Sequence, residues 1–328
     1  MRMHAQSKRV LLFIALIISL TVAVCGAARA PSGAPAARPA RAAAIIHPPV
    51  FAYYYMWMSG NYWHVHKKDH PVQPFPGDYS SADPAVISWQ IQHAQAAGIG
   101  GFLVSWKNNA TYQRIVPLLE NAANQHHFKL AMTYESLDAR GHRLPASQVA
   151  ADFHYFIAHY AANAAWYRIS GRPLTVWDAT DSYPASAIAG VTRTLRSRLV
   201  VLNSASTVAG ITRLAPYTDG DAYYWSSIDP ARDPAWGLRL AQMGAAVHRT
   251  HGIWIAPFAP GFDARLIGGH IVVGRAGGLT LRLEYKAALA SSPDILGLIS
   301  WNEWTENTYL EPSVKYGFSY PDLLRSLL

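Results

Sequence analysis

The chain has 328 residues, of which 51% are hydrophobic and only 15% charged, enough apolar material for a large core and far from the composition of a disordered chain. Its formal charge of +8 falls to +4 if Arg2, Lys8, Arg9 and Arg29 leave with an N-terminal leader that carries no acid, and no cluster of Lys and Arg interleaved with aromatics follows. Nucleic-acid binding is therefore not expected.

Arg2, Lys8 and Arg9 precede the apolar run VLLFIALIISLTVAVCGA, and Ala28-Arg29-Ala30 supplies a small-x-small cleavage site. Residues 1–30 read as a secretory signal peptide, and the protein is expected to be secreted or held in the cell envelope, with an uncleaved anchor as the alternative. Cys25, the one cysteine, lies inside this leader after Val24, which argues against lipidation and leaves no disulfide in the mature chain. Residues 31–47, rich in Ala and Pro, read as a flexible linker.

From Val50 the text alternates. Short apolar runs occur at 50–57 (VFAYYYMW), 100–106 (GGFLVSW), 128–135 (FKLAMTYE), 173–178 (PLTVWD), 198–203 (RLVVLN), 219–225 (DGDAYYW), 252–258 (GIWIAPF) and 294–300 (DILGLIS). Segments with helical spacing fall between and after them at 84–97, 112–126, 146–163, 184–196, 206–215, 234–250, 277–291 and 319–327, the first with Asp83 as N-cap and Pro84 at the first helical position. Eight runs apolar on both faces, alternating with helices, predict parallel strands and an α/β fold, a single (β/α)8 TIM barrel over residues 48–328. A doubly wound open sheet is the structural alternative, but no glycine-rich phosphate loop follows the first strand.

In such barrels the chemistry gathers at the C-terminal strand ends. Those ends hold Trp57 with the loop 58–82, Trp106, Glu135, Trp177-Asp178, Asn203, Tyr223-Tyr224-Trp225, Phe258 and the loop 301–313. The last loop, Trp301-Asn302-Glu303-Trp304-Thr305-Glu306-Asn307-Thr308-Tyr309-Leu310-Glu311-Pro312, carries three acids within nine residues among aromatics. Glu303 and Glu306, three residues apart, can share one side of a turn, and glycoside cleavage needs such a pair, one carboxyl protonated and one ionised. Burial beside Trp301, Trp304 and Tyr309 would raise one of them. The competing readings are a helix cap or a pairing with Lys315. Glu311 is expected to be structural or to clamp a sugar hydroxyl, and Asp78 and Asp83 to serve a turn and a cap. Glu135 is either a site ligand or a partner for Arg140. Tyr54, Trp57 and Trp106 are candidates to stack on sugar rings; Tyr223, Tyr224, Asn302 and Trp304 complete the expected contacts. His64-Val65-His66 with His70 invites a metal reading. However, the other strand ends offer Asn203, Tyr223–Trp225 and Glu303 rather than the remaining ligands a metal would need, so no metal is expected, and His64 and His66 are either satisfied loop histidines or substrate contacts donating to a sugar hydroxyl.

Taken together, AYYYMW, GDYSSADPAVISWQIQHAQAAGIGGFLVSW, the PLLENA helix, SGRPLTVWD, APGFDAR and SWNEWTENTYLEP resemble glycoside hydrolase family 99, endo-acting α-mannosidases and α-mannanases, across residues 50–313. WNEWTENTYLEPS also resembles the α-1,3-glucanase-like family 71. The family 99 resemblance implies a (β/α)8 fold, a polysaccharide or oligosaccharide substrate and no metal or organic cofactor. In its Asn-Glu-Trp-x-Glu motif, it implies Glu303 as the base that assists the sugar's own 2-hydroxyl and Glu306 as the general acid, with net retention through a 1,2-anhydro sugar. The family commonly has His-Glu-Gly where this chain has Thr305-Glu306-Asn307, and its Trp/His cluster matches Trp63-His64-Val65-His66 only imperfectly. A monomer free of the membrane after leader removal is expected. A related α-glucanase and a non-catalytic glycan-binding barrel are the alternatives.

Overall fold

The computed structural model describes residues 47–65 and 79–328. Residues 1–30, expected to be a signal peptide, nearly all of the expected linker, His66, His70 and Asp78 lie outside these residues, as does the side chain of His64. Among the described residues no helix is long and apolar enough to cross a membrane.

Eight strands carry the frame: β1 Val50–Tyr54, β2 Ile99–Trp106, β3 Lys129–Tyr134, β4 Arg172–Trp177, β5 Val200–Leu202, β6 Gly220–Ala222, β7 Ile253–Phe258 and β8 Ile295–Leu298. Each apolar run of the sequence holds one of them. Neighbours pair in parallel in the order β5-β4-β3-β2-β1-β8-β7-β6. The ends of this path approach each other at a parallel bridge, Asn203↔Asp221. There the Asp219 amide donates to the Val201 carbonyl at 2.8 Å and the Ala222 amide to that of Asn203 at 2.8 Å. The sheet is curled and barrel-like, with helices packed along its outer face.

The principal helices are α1 Pro84–Ala96, α2 Ala110–Gln125, α3 Ala146–His159, α4 Ala185–Thr192, α5 Val208–Leu214, α6 Trp236–His248, α7 Leu279–Ala290 and α8 Ser319–Leu327. Asp83 caps α1 as expected, its Oδ1 accepting from the Ala85 amide at 2.9 Å. Helical spacing at 146–163 and 184–196 overran the ends of α3 and α4. The Tyr160 and Ala161 amides both return to the Phe156 carbonyl, at 2.9 and 3.0 Å, a tightening that ends α3.

Period-two alternation divides the strand residues between two cores. Phe51, Tyr53, Leu103, Ala131, Leu174, Val176, Leu202, Ala222, Ile255 and Ile295 form one cluster, within the curl of the sheet. Ala52, Tyr54, Val104, Trp106, Met132, Tyr134, Trp177, Trp254 and Phe258 point the other way, among the helices. Each fully buried large apolar side chain is worth roughly 1.5–3 kcal/mol of transfer free energy, so a one-residue slip of any strand would be expensive. The alternation also decides which strand-end residues can reach the site.

Candidate active site

A cavity of about 330 Å³ opens at the C-terminal strand ends. Its walls include Tyr53, Tyr55, Glu135, Asp178, Tyr223, Tyr224, Glu303 and Glu306, with Ser105, Thr133, Asp181, Ser204 and Ser206 among the smaller polar groups. Sequence-predicted Glu303, Glu306, Glu135, Tyr223 and Tyr224 are thus brought together.

Glu303 is 4% exposed and Glu306 half-buried. The loop that presents them folds back on itself: the Glu303 amide donates to Ser300 Oγ at 2.8 Å, and the Ser300 amide to the Thr308 carbonyl at 2.9 Å. Thr305 holds the Glu303 carboxylate from two directions. Its amide donates to Oε1 at 3.1 Å, and its hydroxyl donates to the same oxygen in a short hydrogen bond. Among the described residues no hydrogen bond reaches the Glu306 carboxyl, while its backbone carbonyl accepts from the Asp263 amide at 2.7 Å. Burial pushes both carboxyls above the ordinary range; Glu303 is raised further by Glu306 and drawn back by Thr305.

Arg275, 6% exposed, anchors the loop from behind. Its guanidinium lies about 4.5 Å from the ring centres of Tyr309, Tyr316 and Tyr320 and donates to the carbonyls of Asn307 and Tyr309, at 2.9 and 2.6 Å. Asn307 has φ +53°, in the left-handed region. Gly enters that region freely and Asn more easily than most residues, which gives a physical reason for Gly at this place in the family pattern.

The other acids divide clearly. Glu135 faces the cavity, accepting from Ser105 Oγ at 2.9 Å; its carboxyl is raised by burial and then by Asp178. Glu135 is thus placed at the cavity wall. Glu311 is 2% exposed and accepts from Gln90 Nε2 at 2.7 Å, Tyr79 Oη at 2.8 Å and Trp304 Nε1 at 3.1 Å, which makes it a structural hub. Asp263 is bound to Arg265 through Nε at 2.9 Å and Nη2 at 2.7 Å.

Four expected substrate contacts are corrected. Tyr54 points into the helix layer, its hydroxyl donating to Gln90 Oε1 at 2.7 Å and its ring stacked on Phe102 at 4.5 Å. Trp106, 1% exposed, packs against Tyr134, Phe156 and Tyr160, because its place on β2 turns it outward. Asn302 is fully buried and ties the motif to the end of β1: Oδ1 accepts from the Tyr55 amide at 2.8 Å and Nδ2 donates to the Tyr55 carbonyl at 3.0 Å. Trp304 stacks on Tyr309 at 4.0 Å and donates to Glu311, inside the loop's own core. Trp57 leans on Tyr55 at 4.4 Å and lines an adjoining surface cavity with Tyr112 and Arg114.

Tyr53 and Tyr55, which flank Tyr54, line the cavity, and alternation along β1 and just past its end is the signal that distinguishes them from Tyr54. Tyr55 and Tyr224 share a hydroxyl–hydroxyl hydrogen bond of 2.7 Å, and the rings of Tyr53 and Tyr224 meet edge to face at 4.8 Å. The same alternation places Thr133 beside Glu135.

A family model for glycosyl hydrolase family 99 matches residues 63–191. The chain is 25% identical over 279 residues to a glycoprotein endo-alpha-1,2-mannosidase-like protein of Danio rerio, covering 74% of this chain and 59% of that one. Over this stretch it is similar to the family 99 proteins. The glycoprotein endo-alpha-1,2-mannosidase of Mus musculus is 23% identical over 275 residues, covering 74% and 56%. The chain thus spans less than two thirds of the length of these relatives. In three dimensions it is similar to the family 99 endo-alpha-mannosidase of Bacteroides thetaiotaomicron solved with bis-tris propane, with a TM-score of 0.70 at 21% identity over 81% of this chain and 87% of that one. That likeness supports the barrel-like fold.

Proposed function

We propose that the protein is an exported endo-acting glycoside hydrolase that cleaves an α-linked, mannan-like glycan with retention at the anomeric carbon. The observation that carries this reading is one cavity walled by both motif carboxyls, each raised by burial but held differently. Hydrogen bonds from Thr305 favour the ionised form of Glu303, suiting it to act as base. Glu306, half-buried at the wall with no such donor among the described residues, is assigned the protonated role by its place in the family motif; the titrations alone point the other way, since burial and the neighbouring Glu306 raise Glu303 to about 8 and burial raises Glu306 to about 7. The two titrate as a pair, and one proton between them is the working state.

In the first step Glu303 takes the proton of the sugar's 2-hydroxyl as that oxygen attacks C1. The C1–O bond to the leaving sugar breaks, and Glu306 delivers its proton to the departing oxygen. In the second step water attacks C1 and gives a proton to Glu306, while the 1,2-anhydro ring opens and O2 recovers its proton from Glu303. Tyr55, Tyr224, Tyr223 and Glu135 line the cavity and are assigned to sugar hydroxyls and ring faces. This reading takes the sheet as a closed eight-stranded barrel, supported by the Asn203–Asp221 bridge, and residues 1–30 as a cleaved export signal.

The test is product analysis on panels of α-mannans and α-glucans with wild type, Glu303→Gln and Glu306→Gln, following the first-released anomer by NMR. Oligosaccharides released with retained configuration from α-mannan, and lost in both variants, are the expected result. Cleavage of α-glucans alone would move the substrate to the glucanase class; binding with no cleavage of any glycan would leave only a glycan-binding barrel.

A further inference from the structure

Below the strand ends the cavity has a floor. Thr133 on β3 is the direct register partner of Ser105 on β2 and of Val176 on β4. With Tyr53 on β1 and Ala222 on β6, these residues line the cavity from within the curled sheet. Alternation puts them there: Met132, Tyr134 and Trp177 turn out among the helices, as do Ala52 and Tyr54 on either side of Tyr53. Tyr53 starts lower, opposite Leu103, and its ring reaches up to meet that of Tyr224.

Two hydroxyls of this floor are unlike the rest. Tyr53 and Thr133 are 2% and 5% exposed, and neither Tyr53 Oη nor Thr133 Oγ1 has a hydrogen-bond partner among the described residues. Ser105, in the same layer, has one, donating to Glu135 at 2.9 Å, while Val176 and Ala222 have no polar side-chain atom to offer. Burial first, and then the charges of Asp178, Asp221 and Glu135, raise the Tyr53 phenol, so it stays protonated and able to donate. A buried hydroxyl left without a partner is costly, and each one in a native structure calls for an explanation. Both of these border a space that a ligand can enter.

We propose that Tyr53 and Thr133 are specificity-determining residues: they hydrogen-bond hydroxyls on the buried edge of the sugar unit seated in the cavity, so that the site selects a fully hydroxylated hexose over its deoxy analogues. This rests on reading the cavity as a sugar site. With the departing oxygen on C1 and the 2-hydroxyl engaged by Glu306 and Glu303, the hydroxyls left to face the floor are those at C3, C4 and C6. Each floor hydroxyl has a hydrogen to give and lone pairs to accept one, as does each sugar hydroxyl, so the match needs no charge. A deoxy unit presents only C–H there. A site built around hydrogen bonds rejects the analogue that lacks one, because its own polar groups are then left unpaired.

Ligand-observed NMR titration, which reads weak sugar binding, would compare mannose with its 3-, 4- and 6-deoxy analogues, and glucose with its matching set, against wild type, Tyr53→Phe and Thr133→Val. Wild type is expected to bind at least one deoxy analogue about tenfold more weakly than its parent. Each variant should bind the parent about tenfold more weakly, and in at least one variant the deoxy penalty should shrink to about twofold or less, because both changes remove the same bond. A purely structural role would weaken parent and analogues alike. Each variant sheds a hydroxyl that has no partner in the fold, so Tm should hold or rise. No measurable binding of either parent, parent and all deoxy analogues binding alike, a deoxy penalty undiminished in both variants, or a fall in Tm of both variants would each overturn the proposal. Turnover of α-mannan separates it from the reading it rests on: the coupling without cleavage counts against the hydrolase alone, and cleavage without the coupling against the floor residues alone.

Discussion

Glu303 and Glu306 at one end of the motif loop, and Glu311 at the other, are carboxyls on the same short loop, and burial raises all three. Their surroundings are opposite. Glu311, raised to about 7, meets three side-chain donors, from Tyr79, Gln90 and Trp304, and none of it faces the cavity. Among the described residues Glu303 accepts from Thr305 alone, and both it and Glu306 open onto the cavity. A raised titration therefore does not by itself mark a working acid; what separates the two ends is whether the lone pairs are already spoken for. Glu311 spends its acceptors on the fold, while Glu303 and Glu306 face the cavity, as the proposed function requires.

Substitution at each end breaks or confirms that division most directly. Glu306→Gln and Glu303→Gln should each lose about 10²–10⁴-fold in turnover. Neither should lower Tm, because each removes a buried carboxyl that burial penalises. Glu311→Gln should do the reverse, since an amide cannot accept from all three donors: about 1–3 kcal/mol lost in urea unfolding, with turnover per folded molecule kept. A Glu311→Gln protein that melts like wild type and yet fails to turn over would erase the distinction.

A subtler change works at the end that carries the proposed base. Thr305→Val keeps the side chain's shape and the amide bond to Glu303 but removes the hydroxyl donor. The base must be ionised, and that hydrogen bond favours ionisation, so its loss raises the pH at which Glu303 titrates. The acid-side limb of the kcat/KM profile should move up by about one pH unit, which is about 1.4 kcal/mol. With Glu303 raised to about 8, activity at pH 7 then falls more than activity at pH 9. An unmoved acid limb with a shifted basic limb would exchange the roles assigned to the two Glu residues.

The same contrast shows what the sequence could display. Eight apolar runs each hold a strand because a strand buried on both faces leaves a continuous apolar signature whatever its neighbours are. The Glu pair was legible because it follows the last run and has aromatic flanks. Facing was harder. In AYYYMW three adjacent tyrosines are chemically alike, and only the register of β1 sends Tyr53 and Tyr55 to the cavity wall and Tyr54 to Gln90. Asn302 and Trp304 sit between residues of the site yet serve the loop's own packing, a division made by contacts with Tyr55 and Glu311 far away in sequence. Arg275 gave no local sign at all, since its value comes from three tyrosine rings and two carbonyls that only the folded chain assembles.

The smallest expected effect lies between the two ends, at Asn307. Its φ of +53° imposes a modest strain that Gly would not bear, while Arg275 fixes its carbonyl whichever side chain is present. Asn307→Gly should therefore stabilise the native loop, but glycine also adds freedom to the unfolded chain, and the two effects oppose each other. A net change within about 0.5 kcal/mol, a Tm shift of about 1–2 °C, is expected. Turnover should be unchanged if the Arg275 anchor and the Asp263 contact to the Glu306 carbonyl hold the acid in place on their own. A fall in kcat at constant KM would show instead that the Asn307 side chain itself keeps Glu306 aimed into the cavity, extending the cavity-facing end one residue further toward Glu311.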